Sequence, residues 1–226
     1  FFHNLFYLNR SNFKHKLPTE VQSHGFYFEK WVRDQFFGGY KNKYSAKWDI
    51  PAEKNKKFGK IPVSIKTAKY RSTINLGDAL RQFQTNEDFL LIVGFWKQNG
   101  IYKKIVNASA VLVKKEVWRT LWQLLTEKQL KNLDYLIKDK SMGYVKTRIK
   151  AQKLKKSFHI PITLNPKIDS KTQRRLQCGL RFNLYFDKLA SKHSREVIKT
   201  PILFGKKVPP PWKSGSRVFN RPKTVN

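Results

Sequence analysis

The chain has 226 residues, with 47 Lys and Arg against 15 Asp and Glu, a formal charge of +32. A charge that large on a chain that is 40% hydrophobic and 14% aromatic excludes an acidic solvated tail and a disordered segment, because 17 Phe, 9 Tyr and 6 Trp can bury a core. One cysteine, Cys178, excludes a disulfide scaffold, and no stretch reaches the about 18 apolar residues of a membrane span. A folded protein of a reducing, cytoplasmic compartment is expected, without a membrane, its positive surface suited to polyanions and chiefly to nucleic acid.

The opening Phe1-Phe2-His3-Asn4-Leu5-Phe6-Tyr7-Leu8 is apolar but short and lacks a basic leader, so no signal peptide is expected. Residues 25–37 read as an amphipathic helix, with Phe28, Trp31, Val32, Gln35 and Phe36 near helical spacing and Gly38-Gly39 as the stop. Lys47–Ile50 reads as a strand, followed by a polar turn over 53–59. Residues 61–66 alternate like a second strand, with Pro62 near its start. A short helix is expected over 75–83. Asp88–Trp96 is the most apolar run and predicts a central buried strand. Gln98-Asn99-Gly100 signals a hairpin, and Ile101–Ala108 is the return strand. Helices are expected near 113–125 and 127–138.

From about residue 140 the texture turns basic. Phe158–Leu164 reads as a strand, 181–189 fits strand or helix equally, and the last thirty or so residues, with Pro209-Pro210-Pro211-Trp212, suggest an extended wrapping tail. The pattern predicts a mixed α/β (α+β) fold, a central mixed sheet flanked by helices. A core with its N-terminal helix over 1–138 and a basic region with the tail over 139–226 are expected to form one unit.

Acids are scarce, so their positions carry information. Asp49 and Lys66 fall on consecutive predicted strands, Glu29 on the preceding helix, and Asp78 at the start of the following one. Carboxylates gathered at a sheet end attract Mg²⁺, a hard cation that polarises a phosphoryl oxygen and acidifies a bound water. A neighbouring lysine orients the water or neutralises charge in the transition state. Each residue also has an ordinary reading. Asp49 fits a strand end, Lys66 a surface lysine, Glu29 an exposed helix charge, and Asp78 an N-cap. Cys178 is expected as a buried small residue, and Trp118 and Trp122, four apart, as helix packing.

Trp48-Asp49-Ile50 followed by Ile61-Pro62-Val63-Ser64-Ile65-Lys66 resembles the PD-(D/E)XK nuclease core used by type II restriction endonucleases. The resemblance covers roughly residues 25–110. It departs from the usual pattern twice, with Trp48 in place of Pro and Ser64 in place of the second acid. A subgroup that recognises CCGG-type sites shows a similar Ser-x-Lys and takes a later helix acid instead. Asp78 stands near that position, and Glu29 resembles the first-helix acid of many members.

The resemblance implies a restriction-endonuclease-like fold and a Mg²⁺-dependent deoxyribonuclease acting on double-stranded DNA at specific sequences. Asp49, Asp78 and Glu29 would hold metal, Lys66 would serve the water or the transition state, and Ser64 would line the site. A homodimer is expected from symmetric cleavage, and a cognate DNA methyltransferase from a restriction-modification system. Lys171, Gln173, Arg174, Arg175 and Gln177 have the donors for base readout, whereas Lys146 and Arg148 suit phosphates. Two alternatives stay open. One is a non-catalytic nucleic-acid-binding protein, such as an RNA- or ribosome-associated component. The other is a related repair, homing or junction-resolving nuclease.

Overall fold

The computed structural model describes residues 23–41, 46–170 and 173–213. Phe1–Leu8, the end of the tail beyond residue 213, and Lys171 lie outside the described residues. Helix α1 (Ser23–Phe36) buries Phe28, Val32 and Phe36, spaced four apart on one stripe. Gly38 and Gly39, both at positive φ, end it. The strand expected at 47–50 is reduced to a single antiparallel bridge, Ile50 to Val63. Prolines explain the difference. Pro51 and Pro62 have no N–H to donate, so a ladder cannot grow past that bridge. Residues Ala52–Lys54 make one 3₁₀ turn instead.

Strand β1 (Val63–Lys69) follows, then β2 (Ile74–Asp78) and α2 (Ala79–Phe83). The helix expected over 75–83 is therefore half strand. Gly77 at φ +88° is incompatible with a helix, and Asp78 stands outside α2 as its N-cap. Strand β3 (Phe89–Asn99) and strand β4 (Tyr102–Val113) form the expected hairpin. Its two turn residues are Gly100 and Ile101, since Asn99 still pairs with Tyr102. Gly100 takes φ +54° and Ile101 does not take a positive φ, the pattern of a II′ turn.

Helix α3 (Lys115–Thr120) is shorter than expected, bounded by β4 before it and by Gln123 at φ +46° beyond it. Helix α4 (Glu127–Lys138) opens on a capping box between Thr126 and Gln129. The basic stretch forms α5 (Tyr144–Lys156). Strand β5 (Thr163–Ile168) lies later than the strand expected at 158–164, because pairing begins only after Pro161. Strand β6 (Arg174–Leu180) leads into α6 (Phe182–Lys188), where buried Phe182, Tyr185 and Phe186 have helical spacing and resolve the ambiguity at 181–189. Short strands β7 (Ile202–Leu203), β8 (Lys206–Lys207) and β9 (Trp212–Lys213) lie in the tail. Within 202–213 the tail does wrap: β9 pairs with β4, and Trp212 stacks on Tyr27 at 4.9 Å.

The fold is mixed α+β. One sheet has the order β1-β3-β4-β9, with β1 parallel to β3 and the remaining pairs antiparallel. A second, antiparallel sheet has the order β2-β6-β5. The parallel pair requires a crossover, and β2 and α2 lie within it. β3 is buried on both faces. Leu90 and Ile92 meet Phe28, Val32, Val63 and Ile65 under α1. Phe89, Leu91, Val93 and Phe95 face a larger core that includes Trp118, Trp122, Leu133, Cys178 and Phe186. That core runs without a break across residue 138. Among the described residues, no helix is long and apolar enough to cross a membrane.

Candidate active site

The site grows from the edge of the first sheet, where β1 has β3 on one side and only the bridged segment on the other. Val63 and Ile65 point into the α1 core, so Ser64 and Lys66 fall on the opposite face. The Asp49 backbone is tied to the start of β1, its N–H donating to the Val63 carbonyl at 3.0 Å. This seats the carboxylate against the strand. Asp49 Oδ2 accepts the Ile65 backbone N–H at 2.6 Å and the Lys66 ammonium at 3.0 Å, and the Ser64 hydroxyl lies at 3.5 Å. The Asp49 and Lys66 side chains are each about one-fifth exposed (21% and 22%), so water reaches the pair without dissolving it.

Two anchors hold the Asp49 segment in place, and neither was evident in the sequence. Trp48 packs its ring 5.1 Å from Phe89 and donates its indole N–H to Glu87, which also pairs with Lys47. Asn55, fully buried, accepts the Phe58 N–H at 3.0 Å and donates to the Ile61 carbonyl at 2.8 Å. It thereby closes the loop that returns the chain to β1. A lone Asn in a polar, lysine-rich stretch gives no sequence signal of such a role.

Glu29 reaches the site from α1. The helix lies close to the sheet because β3 carries Gly94, where a Cβ would stand 2.9 Å from the Phe28 ring. Glu29 pairs with Arg33, one helical turn on. Burial pushes the Glu29 carboxyl above its ordinary range, and the negative charge of Asp49 pushes it further. Arg33 and Lys66 oppose the shift. A carboxylate raised by burial and by a neighbouring negative charge makes a place where a cation is stabilising. Among the described residues, Asp49 Oδ1 and Glu29 Oε2 carry no hydrogen bond, so both have lone pairs to offer. A pair of carboxylates suits Mg²⁺, which keeps several waters and takes other oxygens from substrate phosphates. No group of three His, Cys, Asp or Glu with metal-holding geometry occurs among the described residues.

Asp78 is not part of this constellation. It stands at the end of β2 in the other sheet, and its Oδ1 accepts the Arg81 N–H at 2.8 Å as the cap of α2. The two acids thus have different partners: Glu29 feels the charge of Asp49, and Asp78 caps α2. Cys178 is fully buried, and burial drives its thiol far above the usual range, which leaves it inert as a nucleophile.

The residues expected to meet DNA divide as well. Arg174 turns away from solvent. Its guanidinium donates to the carbonyls of Asp139 at 3.2 Å and of Ile137 and Met142 at 3.4 Å, at and just beyond the C-terminus of α4, where a cation satisfies orphan carbonyls. Its partly exposed guanidinium is thereby engaged with backbone carbonyls. Arg148 likewise donates to the Ile168 carbonyl at 2.7 Å. Gln173 and Arg175 are exposed, Gln177 is half-buried, and Lys146 is exposed on α5. Comparison of the chain with family models, curated proteins and solved structures returned no match.

Proposed function

We propose that the chain is a Mg²⁺-dependent endonuclease that hydrolyses phosphodiester bonds in double-stranded DNA, of restriction type and with a PD-(D/E)XK-like core. The observation that carries the reading is the convergence of Lys66 Nζ and the Ile65 N–H on one oxygen of Asp49, beside Glu29. The chain order supports it too: a helix bearing Glu29, the Asp49 segment, the Ser-x-Lys strand β1, a crossover, and the parallel buried strand β3.

In this reading Asp49 and Glu29 hold the metal. Bound there, Mg²⁺ would supply positive charge to the phosphoryl oxygens and lower the pKa of a water. Lys66 positions its ammonium where it can orient the attacking water and offset charge on the phosphorus oxygens as the in-line displacement proceeds. The Ile65 N–H and Ser64 hydroxyl fix Asp49, so the carboxylate need not reorganise during the reaction. Arg33 favours the ionised form of Glu29 and so opposes the effect of burial. The surrounding charge of +32 draws the polyanion to the site, and Lys146 contributes to that field.

The test is incubation of plasmid DNA with the protein, with and without Mg²⁺. Discrete fragments that require Mg²⁺ and vanish in Asp49→Ala and Lys66→Ala are expected. Fragments that survive both substitutions reject the assignment. Salt-dependent binding with no cleavage would move the chain to the non-catalytic class.

A further inference from the structure

The outer face of the sheet β2-β6-β5 has a composition that folding alone does not explain. Its inner face is apolar, with Ile74, Leu76, Leu164, Ile168, Leu176, Cys178 and Leu180 all in the larger core. Alternation puts Asn75, Asn165, Lys167, Arg175 and Gln177 on the other side. The register places Asn165 directly opposite Gln177, and Lys167 directly opposite Arg175. The first pair sets two carboxamides side by side. The second sets two cations side by side, an arrangement that destabilises an antiparallel sheet. Among the described residues neither cation has a carboxylate partner. The one acid within the three strands is Asp78, opposite Gln177 in the β2–β6 register, with one oxygen engaged as the cap of α2.

A facing pair of cations that opposes folding is relieved by an anionic partner. A facing pair of carboxamides matches the donor and acceptor pattern of adenine, N6 and N7, in the major groove, and that groove admits a two-stranded antiparallel ribbon. At the Leu180 end of β6 a cleft of about 740 Å³ is lined by Arg71, Arg181 and Arg195 and by Asp187 and Glu196, the last paired with Arg195. Arg71 and Arg181 carry positive charge past the strands, in the direction an extended polyanion would run.

We infer that the outer face of β5 and β6 is a major-groove reading surface for duplex DNA, in which Asn165 and Gln177 contact base edges and Lys167 and Arg175 hold flanking phosphates. The inference rests on the nuclease reading for its partner and names the part of the chain that selects the sequence.

Binding by the full chain is measured in EDTA, by selection from duplexes with a randomised centre. The wild type is expected to enrich a pattern containing A·T pairs. Asn165→Ala and Gln177→Ala should each lose about 10- to 100-fold of discrimination at one base pair, with affinity for unselected duplex within about two-fold of wild type. Gln177→Glu should shift the preference at its position towards cytosine, whose N4 amine a carboxylate accepts. The Lys167→Ala/Arg175→Ala protein should bind all duplexes more weakly and lower the slope of log affinity against log salt by about two. It should also unfold about 1–3 °C higher, since the repulsion is gone. A wild type that enriches no sequence overturns the inference. So do Asn165 and Gln177 variants that select the wild-type sequence, or tighter binding to single-stranded RNA than to duplex. An absence of cleavage in the presence of Mg²⁺ counts against the nuclease reading alone.

Discussion

Asp49 lies beside the start of β1 in the β1-β3-β4-β9 sheet and Asp78 ends β2 in the other sheet, and their surroundings give them different partners. Asp49 accepts from a backbone N–H and an ammonium sixteen and seventeen residues away, and it keeps one oxygen free. Asp78 accepts from a residue three positions on and completes a helix end. A local bond of the second kind forms wherever a helix begins. A long-range constellation of the first kind needs a fold to assemble it, and there Arg33 and Lys66 offset the repulsion between Glu29 and Asp49. The difference shows how two carboxylates in one short, acid-poor stretch of chain can be sorted into cap and candidate ligand by what donates to them.

The strongest way to break this contrast is to remove its first half. Lys66→Ala should lower Mg²⁺-dependent cleavage by about 100- to 1,000-fold, and Asp49→Ala by at least as much. Asp49→Ala also strands the Ile65 N–H and should cost about 1–3 kcal/mol of stability, read as a lower midpoint in urea. Lys66→Ala leaves that bond in place, so its loss of cleavage cannot be assigned to unfolding.

Gly94→Ala probes how Glu29 is brought in. The added methyl meets the Phe28 ring, so stability should fall by about 1–3 kcal/mol and thermal unfolding by about 3–10 °C. Cleavage should fall with it, because α1 must move off the sheet and takes Glu29 along. Full cleavage in a destabilised Gly94→Ala protein would separate Glu29 from the site.

Asp78→Ala tests the other half of the contrast. Loss of the cap should cost about 1 kcal/mol, a shift of about 2–4 °C, with cleavage below the melting range within about three-fold of wild type. Abolished cleavage in a folded Asp78→Ala protein would return Asp78 to the metal site and erase the distinction.

The smallest effect concerns pH. The Glu29 carboxyl has a higher pKa folded than unfolded, so between those two values the folded chain binds the extra proton. Stability therefore falls as pH rises through that window, opposite to the usual carboxylate, and the loss persists above the folded value. Denaturant titrations at pH 4 and pH 7 should show wild type losing more stability over the rise than Glu29→Gln. An equal change in the two proteins would contradict the raised pKa.

Much of the architecture was legible from periodicity. α1, β3, the hairpin and α4 follow from apolar spacing and turn chemistry, and each lies within a few residues of its expected place. The errors share a cause. At 47–50 and 158–164, prolines limited pairing where side-chain pattern alone suggested strands. At 75–83, Gly77 and the capping role of Asp78 divided one apolar stretch between a strand and a helix. For the site, the types and spacing of Asp49, Ser64 and Lys66 were sufficient to nominate them. Nothing local distinguished Glu29 from Asp78 as their companion, since both are acids in plausible helical positions.

The sequence by itself determined which segments bury and which faces of them stay polar, because period and side-chain chemistry are properties of neighbouring residues. It also determined the charge of +32. Only the tertiary structure decided that Glu29 comes within electrostatic reach of Asp49, that Arg174 closes the end of α4, and that Lys167 faces Arg175. Each of those is a pairing between distant parts of the chain, set by packing and register, which no local pattern encodes.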